Sequence, residues 1–147
     1  MESAVKLARK ITQRRSVVAF TNSYYGMTST ALGLTGNQDN RQMVVDNNVY
    51  RLPYDGCFPE SNSLELFQKL LDDRSSGYDL PAAVIVETVQ GEDRINVAST
   101  HWLQQPRALT ADKGILLIIE DKLTTSSKNS SKSRSSDSPK DRHERKR

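Results

Sequence analysis

Two short apolar runs, PAAVIVE (Pro81–Glu87) and ILLIIE (Ile115–Glu120), constrain this chain more than any other feature. A strand with one wet face alternates apolar and polar side chains, whereas a strand covered on both faces does not. Neither run alternates, so both are expected to be doubly buried. Between them lies Ser99–Lys113, a helix candidate closed by Gly114. Strand, helix, strand at this spacing predicts a parallel pair joined by a crossover helix.

The same alternation runs upstream. Ala4, Leu7, Ala8 and Ile11 fall at helical spacing and are expected to face a core, with Lys6, Arg9, Lys10 and Arg14 opposite. SVVAFTN (Ser16–Asn22) is a β-branched strand candidate. GMTSTALGLTG (Gly26–Gly36) reads as a small-residue helix bounded by glycines, and NNVYRLPYDG (Asn47–Gly56) as a brief strand followed by a turn. NSLELFQKLLDD opens on Asn62, a good N-cap, with Glu65 at capping-box spacing. The predicted fold is α/β, three layers (α/β/α) around a mostly parallel sheet over residues 1–121.

The remainder, 122–147, is expected to be a disordered Ser/Lys/Arg-rich tail. From Thr124 it holds no apolar residue, and its eight Lys/Arg face three acids. The whole chain of 147 residues nets +3, so residues 1–123 sum to −2 and the basic pI belongs to the tail. A basic tail admits one non-enzymatic reading, a small binding protein whose tail contacts nucleic acid or an acidic partner. The tail has no aromatics for base stacking, which argues against nucleic acid. The lone Cys57 excludes an internal disulfide and fits a reducing, cytoplasmic address. Met1–Ser16 is basic and amphipathic enough to be weighed as a transit peptide, but a core-facing helix is the better reading. No apolar run approaches the ~18–20 residues of a membrane span. His101 and His143 are too few and too far apart to suggest a metal site with Cys57.

In a parallel sheet, ligands collect at the carboxyl ends of the strands. Three such ends carry polar or aromatic groups here: FTNSYYG, ETVQGE and ED. Singly, each has a plain explanation. Tyr24 and Tyr25 suit packing with a wet hydroxyl, and Glu87 and Glu92 suit a solvated loop. Three on one sheet edge point to a site.

LPAAVIVETVQGEDRINVAS closely resembles the class III (ω-type) pyridoxal-phosphate aminotransferases, and VVAFTNSYYGMT, ALGLTGN, LPYDG and KGILLIIED follow that family in register. The resemblance covers roughly residues 2–121. It implies part of the large, cofactor-binding domain of a fold-type I enzyme, a homodimer with sites at its interface. It also implies pyridoxal 5'-phosphate as cofactor, and amino transfer between a diamino acid such as L-2,4-diaminobutyrate and a keto acid such as 2-oxoglutarate, in the ectoine pathway. By the same resemblance Tyr24 is the ring-stacking aromatic and Tyr25 takes the place of the family's histidine. Glu120 is the acid at the pyridine nitrogen, where the family has aspartate. Glu92 matches a glutamate that pairs with a mobile arginine in relatives, and Glu87 stands behind it.

The departures from the family are as specific as the match. The resemblance places the Schiff-base lysine and the phosphate loop outside this chain, so no catalytic residue is assigned; Lys69 and Lys113 read as ordinary surface lysines. Asp93-Arg94 stand where relatives have Gly-Gly, and Pro106 interrupts what relatives keep as an unbroken helix. Interior proline costs ~3 kcal/mol or more and kinks or ends a helix. The compositional break at Asp121–Lys122 suggests an internal aminotransferase segment joined to out-of-frame or foreign sequence. Such a fragment is expected to be inactive alone, to bind the cofactor weakly, and to aggregate through its open edges.

Overall fold

A computed structural model describes residues 1–44, 48–58, 60, 62–91 and 95–121. The tail, Glu92 and Asp93-Arg94 lie outside the described residues.

Eleven elements follow one another among those residues: α1 (Glu2–Thr12), β1 (Val17–Phe20), α2 (Ser29–Leu34), α3 (Gln38–Arg41), β2 (Val49–Leu52), α4 (Ser63–Asp72), β3 (Ala83–Glu87), β4 (Val89–Gln90), β5 (Asn96–Val97), α5 (Thr100–Lys113) and β6 (Leu116–Glu120). Four strands form one all-parallel sheet in the order β2-β1-β3-β6, and β4 pairs antiparallel with β5 in a separate hairpin. This is the predicted α/β class.

Alternation within each buried strand divides the core into two. Val17, Ala19, Ala83 and Ile85 point to one face, where Val5 and Ala8 of α1 and Ala31 and Leu34 of α2 cover them. Val18, Phe20, Val84 and Val86 point to the other, under Leu64 and Phe67 of α4 and Trp102 and Leu109 of α5. Phe20 and Trp102 meet edge to face with ring centres 5.0 Å apart, an arrangement worth ~0.5–1.5 kcal/mol beyond area burial. Caps fix the helix ends as their residues suggest. Asn62 accepts from the Glu65 N–H and Ser99 from the Trp102 N–H. Gly114 closes α5 with φ +62°, a left-handed conformation that glycine adopts without strain.

Four expectations fail. Leu7 and Ile11 are not core-facing: they are 56% and 62% exposed, and Val5 and Ala8 do the packing. The α1 stripe is wide enough to turn either flank inward, and the sheet takes the smaller side chains. β6 is not doubly buried, because it lies at the sheet edge with Leu116 and Ile119 36% and 60% exposed. Pro106 does not end α5, which runs as one helix from Thr100 to Lys113 with the proline buried; the Thr110 hydroxyl donates to the Pro106 carbonyl at 2.8 Å. Lys113 is not an ordinary surface lysine either: its side chain is 13% exposed, and its ammonium pairs with Asp72 and ties α5 to α4.

Gly26–Gly36 is helical only over Ser29–Leu34, and α3 and the β4–β5 hairpin were not anticipated. Gly36 has a steric reason of its own. A Cβ there would stand 2.8 Å from the Asn22 nitrogen.

Candidate functional site

All four sheet strands run the same way, so the chain leaves β1, β3 and β6 at one edge, where Phe20, Glu87 and Glu120 end their strands. The register sets Glu87 directly beside Glu120. Glu87 shares the parity of Ala83 and Ile85, and Glu120 that of Ile118, so both carboxyls belong to the α1–α2 face. Tyr25, on the loop after β1, packs into that same face. Its hydroxyl donates to the Ile85 carbonyl at 3.5 Å. Burial pushes the Tyr25 phenol well above its ordinary pKa, and the negative charges of Glu87 and Glu120 push it further. A tyrosine and two carboxyls therefore meet at one place. Glu87 is 1% exposed and Glu120 is half-buried.

Tyr24 is half-buried on the same loop. Tyr25, by contrast, is held under the sheet edge and stands further from solvent than a wet-hydroxyl packing residue would. Glu92 lies outside the described residues, so the structure gathers Tyr24, Tyr25, Glu87 and Glu120 at the edge and does not place Glu92.

A second set of side chains, unread in the sequence, stitches this edge together. Tyr54, just after β2, donates its hydroxyl to the Glu87 carbonyl at 2.7 Å and packs on Trp102 at 4.9 Å. Burial raises its phenol pKa as well, with Glu87 adding to the effect. Gln90 is buried and donates its carboxamide N–H to the Thr21 carbonyl at 2.8 Å. The Thr88 hydroxyl reaches Asp121 Oδ1 at 3.1 Å, and Asp55 accepts from the Ser99 N–H at 2.8 Å. Cys57 Sγ accepts from Asn22 Nδ2 at 3.4 Å and lies 3.3 Å from the Thr21 hydroxyl. These ties cross 33 to 69 residues of sequence, which is why no local pattern announced them. The signal available was the pairing of polar residue types with strand ends, at Tyr54 after VYRL and Gln90 after AVIVE. A cleft of about 710 Å³ opens beside them, lined by Asn22, Asp55, Gly56, Cys57 and Ile95–Val97 rather than by the Tyr25 cluster.

The donor set suits the nitrogen end of a protonated pyridine ring. A carboxylate facing such a nitrogen stabilises its proton, and Glu87 and Glu120 present two adjacent carboxyls at the strand ends. No group of three or more His, Cys, Asp or Glu able to hold a metal ion occurs among the described residues. None of their helices is long and apolar enough to cross a membrane.

In an open parallel α/β sheet, ligands bind outside the carboxyl ends of the strands, the edge at which Glu87 and Glu120 sit. Comparison with known proteins makes that specific: the profile of class III aminotransferases matches residues 1–126, and the chain belongs to that family. A family of unknown function matches residues 108–147. The chain is 50% identical over 123 residues to diaminobutyrate–2-oxoglutarate transaminase of Vibrio cholerae and 49% identical over 124 residues to that of Nocardia farcinica. Each alignment takes in 82% of this chain but only 30% and 28% of the relative, so the chain spans about three-tenths of their length. Among solved structures, the taurine:2-oxoglutarate aminotransferase of Bifidobacterium kashiwanohense, in complex with PLP and glutamate, shares the fold. Its TM-score is 0.66 at 22% identity, over 80% of this chain and 29% of that one. Class III aminotransferases depend on pyridoxal phosphate.

Proposed function

We propose that this chain is the strand-end portion of a transaminase that moves an amino group between L-2,4-diaminobutyrate and 2-oxoglutarate, as in ectoine synthesis. The 50% identity to a relative of that name supports the substrate pair. The observation that carries the site assignment is Glu87 and Glu120 in register at the carboxyl edge, with Tyr25 buried beside both.

Bound there, pyridoxal phosphate supplies an electron sink and a carrier for the amino group. The residues of this chain bind and tune it. Glu120 would accept a hydrogen bond from the protonated pyridine nitrogen, and its negative charge would keep the proton on that nitrogen. Glu87, beside Glu120 on the neighbouring strand, would add negative potential on the same face and stands on the substrate side behind Glu92 in the chain's resemblance to the family. Tyr24 offers its ring to the flat face of the cofactor. Tyr25 stands where relatives use histidine, and with its phenol held neutral it leaves the positive charge at the nitrogen. Glu92 is the substrate-side carboxylate. The lysine and phosphate contacts belong to the rest of the fold, which the chain reaches in a homodimeric, cytoplasmic assembly. On its own, residues 1–121 are a partial aminotransferase domain without turnover.

The test is a chimera in which residues 1–121 replace the matched segment of the Vibrio cholerae relative. It should transaminate diaminobutyrate with 2-oxoglutarate. Glu120→Gln should lower kcat by about 100-fold or more, since a neutral amide no longer holds the ring proton. Glu120→Asp should keep most activity. A chimera in which Glu120→Gln turns over as fast as its parent would refute the assignment.

A further inference from the structure

The cleft of about 710 Å³ beside the carboxyl edge is lined, among the described residues, by none of the side chains given a role with the cofactor. Its volume falls in the ~300–1,000 Å³ range of small-molecule sites. Its one charged group is Asp55. That carboxylate gives Oδ2 to the Ser99 N–H at 2.8 Å, which holds the side chain in place. Its other oxygen has no hydrogen bond among the described residues. Asn22 commits an N–H to the Cys57 sulfur at 3.4 Å and keeps its carboxamide oxygen as an acceptor. Opposite these polar groups the wall is aliphatic: Ile95 and Val97 line the cleft and are 81% and 67% exposed.

That combination selects a ligand. A phosphate or carboxylate would meet a like charge, with no lysine or arginine among the described residues of the lining to offset it. A neutral ligand would leave the Asp55 charge without a counter-ion. An ammonium on a methylene chain satisfies both walls, the cation against Asp55 and the CH₂ groups over Ile95 and Val97. The net −2 of residues 1–123 favours the same sign of ligand. We infer that this cleft is a binding site for the free ammonium end of an aliphatic diamine or diamino acid. The diamino acid of the proposed reaction falls in that class, yet the inference rests on the cleft alone and not on that reaction.

Cys57 is the single cysteine and lines the cleft, so its accessibility reports occupancy. The full 147-residue chain, without pyridoxal phosphate, is treated at neutral pH with an uncharged dipyridyl disulfide. Release of thiopyridone gives the rate of attack by the Cys57 thiol. 1,4-Diaminobutane, cationic at both ends under these conditions, should slow that release about three-fold or more and do so saturably. Butanol and butyrate, at matched concentration and ionic strength, should not. Asp55→Asn should raise the half-protecting concentration about ten-fold or more, the weight of a hydrogen bond to a charged group. Val97→Lys, which sets a competing ammonium in the wall, should raise it too, and Val97→Asp should lower it. Asp112→Asn, at an exposed acid on α5 outside the lining, should leave it where it was. Each variant is compared with its own rate without diamine, and Trp102 fluorescence checks its fold. If Asp55→Asn unfolds the chain, the opposite shifts of the two Val97 variants decide. Absence of protection by the diamine overturns the inference. So does equal protection by butanol or butyrate, or protection indifferent to the Asp55 and Val97 variants. Neither cofactor nor turnover enters the assay, so failure here leaves the transaminase reading standing, and failure of that reading leaves this one.

Discussion

Replacing Tyr54 with phenylalanine removes one oxygen from the stitching of the carboxyl edge and leaves the ring in place. The ring keeps its packing on Phe20 and on Trp102, with ring centres 6.3 and 4.9 Å away. The lost hydroxyl had donated to the Glu87 carbonyl at 2.7 Å and lay 3.3 Å from the Thr88 carbonyl. Thr88 retains the Ala98 N–H at 3.2 Å, so the loss falls on Glu87. A net hydrogen bond is worth ~0.5–1.5 kcal/mol, and a buried carbonyl left without its donor costs ~1–3 kcal/mol. We expect Tyr54→Phe to destabilise by about 1–2 kcal/mol, a factor of about 5–30 in the folded-to-unfolded ratio. Trp102 is the single tryptophan and touches Tyr54 directly, so its fluorescence in urea reports this cluster. The pH dependence gives a second check. The folded-state pKa of Tyr54 is raised above the ordinary value of ~10. Its contribution is therefore fully present below about pH 10 and is lost as pH climbs toward the folded value. The gap between parent and variant should hold from neutral pH to about 10 and then narrow. A gap under about 0.3 kcal/mol at pH 7, or one that widens in alkali, would refute the reasoning.

Gly36→Ala places a Cβ 2.8 Å from the Asn22 nitrogen and 3.2 Å from that of Ser23, so the urea midpoint should fall by the equivalent of about 1–3 kcal/mol. Hydrogen bonds from Thr30 and Thr28 lower the Glu2 pKa, so its contribution is present above the ordinary carboxyl pKa and fades as pH drops through the folded value. A Glu2→Gln variant should differ from its parent at pH 7 and converge with it in acid, read by circular dichroism. Borohydride reduction of the 147-residue chain with pyridoxal phosphate should trap no lysine at a unique site; mass spectrometry finding one dominant adduct would contradict the partial-domain reading. Ending the chain at residue 123 should leave the Trp102 unfolding curve unchanged, and should abolish whatever weak, salt-sensitive nucleic-acid binding the chain shows.

Elements that carry their own local signal were legible from sequence. Asn62, Ser99 and Gly114 mark helix ends by hydrogen bonds made within a few residues, and AVIVE names a buried strand whatever surrounds it. What covers an element is decided elsewhere in the chain. Leu7 and Ile11 had helical spacing, yet spacing cannot choose between two apolar flanks, and the sheet chose Val5 and Ala8. LLIIE announced an interior strand, and the described residues put no strand beyond it. Pro106 obeyed the packing of α5 rather than its own propensity. At the candidate site, the acids at strand ends were visible because parallel topology makes those ends meet. Tyr54 and Gln90 were not, because their partners lie 33 and 69 residues away. Lys113 hid for the same reason, its partner Asp72 being on another helix.

The strand order has a consequence for how the molecule comes into being. β1 sits between β2 and β3 although it precedes both in sequence. As the polypeptide leaves the ribosome, Val17–Phe20 has no bonded neighbour until residue 52 has emerged and no second one until residue 87. For that interval the most apolar strand of the amino-terminal third waits uncovered, the condition under which nascent chains recruit chaperones. Mutations that speed the closure of β3 onto β1 should therefore raise the yield of native protein in cells more than they raise its stability in a tube.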